Sequence, residues 1–449
     1  MKPAVFLAAL SLAVIPLTLS ASEEVDFFAV VEGETVSTNA PQETDINYDT
    51  ELDYRIHYAP QDQTQAYNFR RASSGIVSSR ADAYGALNYT PNERFSIKLS
   101  ASASYDSKRY HKAFQSELDE SYAYWNPVSG WYFTIGRQLM VFGEADYFRI
   151  LDVINPLDER VLGLAELDEI RLPTFGSRIS YTQNRWGIDI FLLHEFRSSE
   201  ADESRGDFDP FIHFGGSESV IIHKPSSPSL SNPNWGGRLF LSRPWGDISL
   251  VMAHTRNYQA TPTGITNSGM FIAEYPEIKT QGLSVNYVWS NWLFKTELGV
   301  QDDLKIMRND IAAQLATPQQ SLAVYEDASL RKAMIGGRYS GINDLVFGLE
   351  LYREEISNHN SLMISNRIDI RSAFNISYEL MNDKLKLALL LVRWQSQDSD
   401  LVRMRIEYEY QDNTILYAGY ITYSAENQNS LLYPFEKNDR IYFGLTYNY

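Results

Sequence analysis

Apolar and polar residues trade places at every second position along most of this chain. Leu52, Tyr54, Ile56 and Tyr58 alternate with Glu51, Asp53, Arg55 and His57. Successive side chains of a strand point to opposite faces, so this segment has one greasy side and one wet side. The run after Thr90-Pro91-Asn92-Glu93 repeats the pattern, with Phe95, Ile97, Leu99, Ala101, Ala103 and Tyr105 against Ser96, Lys98, Ser100, Ser102, Ser104 and Asp106. An amphipathic helix would repeat every three to four residues instead.

The same unit recurs to the end of the chain. Residues 177–182 and 188–196, 239–242 and 248–254, 283–289 and 292–300, 334–339 and 345–352, 368–378 and 385–394, and 402–410 and 415–423 each read as a hairpin. Their turns are short and made of Pro, Gly, Asn and Asp, which supply the dihedral angles of tight reversals. The intervening connections are longer, with 197–234, 258–276 and 302–330 as extremes. Short turns alternating with long loops is the pattern of an outer-membrane barrel, short ends in the periplasm and long ends outside. The fold expected is therefore all-β: a transmembrane antiparallel barrel of about 18 strands, with 16–18 as the working range.

One stretch breaks the rhythm. Residues 136–173 (GRQLMVFGEADYFRILDVINPLDERVLGLAELDEIRLP) mix charges with bulky apolar residues around an Asn155-Pro156 turn. It reads as a long loop folding into the barrel to narrow the pore, with an ordered external loop as the alternative. Within it, Asp158 to Leu167 has the make-up of a short helix, with Asp158 as cap and Val161, Leu162, Leu164 and Leu167 as an apolar stripe.

Composition narrows the picture. The chain has 449 residues, 29 Tyr and 22 Phe, yet its mean hydropathy is −0.31. That combination suits lipid contact by alternate residues and not by continuous apolar runs. Residues 1–21 read as a secretory signal peptide, 22–47 as a periplasmic tail and 48–449 as the barrel. With no cysteine, disulfides and zinc–thiolate sites are excluded. A net charge of −18 argues against nucleic acid as a partner. The partners expected are outer-membrane lipid and lipopolysaccharide and the outer-membrane assembly machinery.

An inward face charged on several strands gives the candidate pore-lining or constriction residues. In the insertion these are Arg137, Gln138, Glu144, Asp146, Asp152, Asn155 and Asp158. On later strands they are Arg338, Glu350, Arg367, Asp369, Arg371, Arg403, Arg405, Glu407 and Glu409. Such charges select among solutes in one reading. In the other, favoured for most of them singly, they pair with one another and stiffen the wall.

Seven histidines show no metal-ligand spacing, and there is no GxSxG, P-loop or dinucleotide fingerprint. No cofactor and no enzymatic activity are expected. Two other classes stay open, a barrel hydrolase acting on lipid or surface polysaccharide, for which His194-Glu195 is the nearest feature, and an adhesin or structural barrel. The acids Glu200, Asp202, Glu203, Asp207 and Asp209 crowd one loop without EF-hand order, so a solvated acidic loop is expected over a calcium site.

Two resemblances add to this. The chain ends on Ile441, Phe443, Leu445, Tyr447 and Tyr449 sharing one face, which resembles the terminal signature by which bacterial outer-membrane barrels are recognised for assembly. Gly136-Arg137-Gln138, Phe142-Gly143, Ala145-Asp146 and the run LDVINPLD at 151–158 resemble a motif of a poorly characterised family of outer-membrane barrels, similar to the alginate-export porins. Members often read Trp where Phe142 stands. The resemblance implies a channel or porin-like transporter for a small or hydrophobic solute, and an RND-type inner-membrane transporter as partner.

Overall fold

The computed structural model describes residues 45–449 apart from 61–73, 110–112, 165–166, 203–205, 213–215, 229–232, 316–321 and 428–429. The signal peptide and all but the last residues of the tail lie outside them. The first six strands are β1 (Asp45–Ala59), β2 (Gly75–Asn92), β3 (Phe95–Asp106), β4 (Phe114–Leu118), β5 (Ser121–Val128) and β6 (Trp131–Gln138). Next come β7 (Thr174–Gln183), β8 (Trp186–Leu193), β9 (Val220–Ile222), β10 (Asn234–Arg243), β11 (Gly246–Arg256), β12 (Thr261–Ile265) and β13 (Phe271–Glu274). The rest are β14 (Glu277–Trp289), β15 (Trp292–Met307), β16 (Tyr325–Ile342), β17 (Leu345–Ile356), β18 (Ile368–Leu380), β19 (Leu385–Trp394), β20 (Ser399–Gln411), β21 (Thr414–Ala425) and β22 (Arg440–Asn448).

Nineteen of these form one antiparallel sheet that closes where β1 pairs with β22, Glu51 opposite Asn448 through Tyr58 opposite Ile441. β4 and β5 follow one another along β3 and share one stave, so the cylinder has 18 staves. Closure leaves no sheet edge along the wall to face lipid, which is the condition for spanning a bilayer with strands. β9, β12 and β13 make a separate small sheet within the long connections. Among the described residues no helix is long and apolar enough to cross a membrane.

The alternation read from sequence decides the faces. Leu52 and Tyr54 are 49% and 47% exposed, whereas Asp53 between them is 8% exposed. On β20, Met404 and Ile406 face out, and Arg403 is buried within. Trp125, Trp131, Trp186, Trp289, Tyr410 and Tyr449 are exposed at the short-turn end, forming an aromatic girdle at one interface.

Several expectations are corrected. β1 begins at Asp45, before the barrel boundary expected at residue 48. Both ends of the supposed loop 302–330 are strand, because β15 runs on to Met307 past a bulge at Gln301/Leu304 and β16 begins at Tyr325. The acidic loop is folded and not simply solvated. Asp209 is buried and accepts bonds from the Phe211 and Ser217 amides, Asp202 pairs with Arg109, and Asp207 with Arg440. Glu203 lies outside the described residues. Among those described, no group of His, Cys, Asp or Glu is arranged to hold a metal.

Candidate functional site: the lumen and its inserted segment

The chain leaves the wall after Gln138 and rejoins it at Thr174, the two residues being paired across β6 and β7. Gly136 makes the tight approach there. It adopts φ +136°, and a Cβ on it would lie 2.3 Å from the Ser121 carbonyl oxygen. Between those points the segment turns inward. Met140, Ile150, Leu151 and Ile154 retain no exposed surface, and Phe142 only 1%. They pack with inward side chains from much of the wall, from Phe191 on β8 through Val251, Met334 and Tyr352 to Ile421 and Tyr423 on β21. The lumen therefore contains an apolar knot, built from the positions where the sequence departs from alternation.

Two wall carboxylates hold the near edge of this knot. Glu297 on β15 is fully buried and accepts from the backbone N–H groups of Glu144, Ala145 (3.1 Å) and Leu151 (3.2 Å). Glu350 on β17 accepts from the amides of Asp146 (2.7 Å) and Tyr147 (3.1 Å). Side chains of the segment answer the wall in turn: Lys295 pairs with Asp146 at 2.7 Å, and Asn286 donates to Glu144 at 2.6 Å. Burial pushes the Glu144 carboxyl above the ordinary carboxylate range, with the Asn286 amide opposing that shift.

Within the segment, Asp152 is buried and paired with Arg171 at 2.8 Å, while Arg149 donates to the carbonyls of Asp152 and Asn155, both at 2.7 Å. Asn155 is fully buried and exchanges bonds with the Met140 backbone. These bonds satisfy most of the polar groups of a water-excluded turn, the buried Asp152 Oδ1 excepted.

The helix expected over Asp158–Leu167 is not formed, though Ala165 and Glu166 lie outside the described residues. Leu157 and Asp158 are extended and bridge to Arg171 and Glu200. The Asp158 carboxylate, expected to cap a helix, instead takes the Arg160 guanidinium. Short acidic side chains compete with helical hydrogen bonding in this way. Gly163 then turns the chain at φ +70°, close against Leu401. Only a single turn forms further on, α1 at Leu167–Ile170. The far edge of the segment is tied by Tyr423 donating to the Leu162 carbonyl (2.6 Å) and Arg403 to that of Gly163 (3.2 Å).

The staves from β20 round to β2 present a different lining. Asp53 pairs with Arg55 at 3.1 Å, Arg80 with Asp82 at 2.6 Å, and Arg405 with Glu407 at 2.5 Å. Tyr417 donates to Asp53, and its ring lies under the Arg405 guanidinium. These five staves of the eighteen carry a ladder of paired charges beside the apolar knot.

The structure thus brings Gln138, Glu144, Asp146, Asp152, Asn155, Asp158, Glu350 and Arg403 into or against the inserted segment. Asp369, Arg371, Arg405, Glu407, Glu409 and Arg338 stand on the inward face by register. Arg371 pairs with Asp369 at 2.6 Å and Arg405 with Glu407, whereas Arg338 and Glu409 form no ion pair among the described residues. Two candidates are elsewhere. Arg137 shares the outward face with Trp131 and Ile135 and pairs with Glu195, and Arg367 lies at the outer rim against Glu355. Sequence reasoning missed Glu297, Lys295 and Asn286. Their signal was present, since Lys295 and Glu297 fall on the face opposite Trp292, Phe294 and Leu298.

Ser177 and His194 touch at 2.7 Å on the outward face. Among the described residues no carboxylate forms an ion pair with that ring, and Glu195 is taken by Arg137 and the Phe175 amide. A serine and an imidazole without the third orienting group fall short of a triad.

A closed 18-stave antiparallel cylinder, aromatic-girdled outside and polar-anchored inside, is the porin type of outer-membrane barrel. The chain belongs to the family described as "Protein of unknown function (DUF1302)", whose profile matches residues 33–448. No curated protein matches its sequence. Solved structures share the fold at low identity. Pseudomonas aeruginosa OccK9 (OpdG) is 9% identical with a TM-score of 0.52, covering 90% of this chain and 98% of its own. Pseudomonas aeruginosa OpdK, solved with vanillate, is 10% identical at 0.50, with coverage of 90% and 98%. Acinetobacter baumannii OccAB4 is 10% identical at 0.50, covering 92% and 99%.

Proposed function

We propose that the protein is an outer-membrane channel that passes a small or hydrophobic solute, with an RND-type inner-membrane transporter as its partner. The observation that carries the channel reading is the divided lumen. A barrel of this girth is too wide for its own wall side chains to fill. Here the space is taken up on one side by the knot and lined on the other by paired charges that attract water. An amphipathic solute meets both surfaces: Tyr147, Val161 and Leu162 are only partly buried at the knot's margin. The motif at 136–158, and its likeness to barrels akin to the alginate-export porins, is what supports the partner.

Purified protein in a planar bilayer is expected to conduct, and liposomes carrying it to swell in small solutes; vanillate, found with OpdK, is a convenient probe of blockage. Replacing Arg403 and Arg405 together with alanine should shift the reversal potential toward cation preference, since Glu407 then loses its partner. Absence of both conductance and swelling would overturn the channel reading.

A further inference from the structure

The outer wall carries a feature that nothing in the lumen uses. A groove of about 960 Å³ runs along the lipid-facing surface from β8 to β17. Its sides are the exposed side chains of Trp235, Leu250, Met252 and Leu298. Its floor drops where Gly237 and Ala333 put almost nothing on that face. In a bilayer such a trough is filled by acyl chain, because no water is there to fill it.

At the long-loop end the groove reaches Arg331 and Arg353, outward residues in line with Ile335 and Leu351. Arg353 and Arg367 share one carboxylate, Glu355, at 2.9 and 3.1 Å. Arg331 is exposed and has no ion-pair partner among the described residues. Two guanidinium groups thus share the Glu355 carboxylate, and Arg331 lies opposite it by register, beside the Lys279–Asp303 pair. Counted along β16 from the turn at Ile342, Arg331 stands about 36 Å up the strand, or ~28 Å in height at the usual tilt. The apolar band of such barrels is about 25 Å tall, so Arg331 sits at the level of outer-leaflet head groups.

A second, polar cleft of about 620 Å³ lies beyond that level, lined by cations and acids alike, Lys224, Arg256 and Lys305 with Glu274, Glu277 and Asp327. The two are joined along β14, whose outward face carries Gln281 in the groove, then Lys279, then Glu277 in the cleft. Apolar trough, guanidinium pair and polar cleft follow one another from membrane to exterior. A lipid with acyl chains, a phosphate and a sugar head has those three parts in that order. Guanidinium groups bind phosphate by parallel N–H···O bonds, which a lone ammonium does not match.

We propose that this groove, with Arg331 and Arg353, is a binding site for a phosphorylated glycolipid of the outer leaflet. One acyl chain lies in the trough, a phosphate bridges the two arginines and the sugar reaches toward the cleft. The inference rests on the outer-membrane placement of the barrel but not on passage of any solute, so failure of the conductance assay leaves it standing.

Native mass spectrometry of the purified full chain in detergent tests it with four probes: bis-phosphorylated lipid A, the same lipid stripped of phosphate, phosphatidylglycerol and inorganic phosphate. One bis-phosphorylated molecule is expected to stay on each barrel, with the stripped lipid and phosphatidylglycerol held about tenfold more weakly, the scale of one charge-assisted contact. The pair Arg331→Ala and Arg353→Ala should lose about the same factor. Ala333→Phe, which fills the trough with both arginines in place, should also reduce retention, and it keeps the test open if the double variant does not assemble. Equal retention of the stripped lipid or phosphatidylglycerol, full competition by inorganic phosphate, or no effect of either variant would each overturn the site.

Discussion

Replacing Glu297 and Glu350 with alanine is expected to raise single-channel conductance several-fold, as the inserted segment comes off the wall. These two carboxylates satisfy the amides of Glu144, Ala145, Asp146, Tyr147 and Leu151. A buried amide left without an acceptor costs about 1–3 kcal/mol. Five such amides together outweigh what one loop of this size is expected to hold in reserve, so release is favoured over adjustment in place. The glutamine pair is the informative control, because each amide keeps one carbonyl acceptor and should open the pore less. Alanine variants that assemble normally and conduct like the parent would refute the anchoring role.

Removing the last strand, residues 440–449, is expected to abolish the folded barrel. β22 pairs with β21 from Arg440 to Tyr447 and with β1 from Ile441 to Asn448. Without it both neighbours present a row of unpaired backbone groups to lipid, each costing several kcal/mol. The readout is heat-modifiable migration on a gel, where the parent runs as a compact species and the truncated chain should not. A truncated protein that still migrates compactly would show that β1 and β21 can close on each other.

Much of the cylinder was legible in the sequence because a strand's period of two is written directly in its residues. The faces of β1, β3 and β20 follow from Leu52, Leu99 and Met404 alternating with polar neighbours, and short Pro/Gly/Asn/Asp turns set the hairpins. Periodicity says less where strands outrun their lipid contact, which is why β15 and β16 were cut short at both ends of 302–330. It also says nothing about β4, a five-residue stave fragment.

The inserted segment was recognisable as a break in rhythm, and its inward course follows from the same break. Its internal conformation was not legible. A helix over Asp158–Leu167 is what local preference supports, but Arg160 reaching back to Asp158, the bridge from Asp158 to Glu200 and the turn at Gly163 decide otherwise. All but the first of these involve residues distant in sequence or a dihedral no pattern announces. Arg137 keeps the parity of Trp131 and Ile135 and so was open to an outward placement from the sequence, whereas Arg367 precedes the start of β18 at Ile368, where alternation assigns no face.

The knot in the lumen also has a bearing on the order of events during assembly. Its bonds join Asp146 to Glu350, Gly163 to Arg403 and Leu162 to Tyr423, separations of 204, 240 and 261 positions along the chain. Contacts so far apart form late and slowly, because a long loop must be closed before they contribute. The segment is synthesised before two-fifths of the chain is complete, yet most of its partners belong to the final two-fifths. It must wait unpaired while the later hairpins arrive, and it has to be inside the curling sheet before the first and last strands meet.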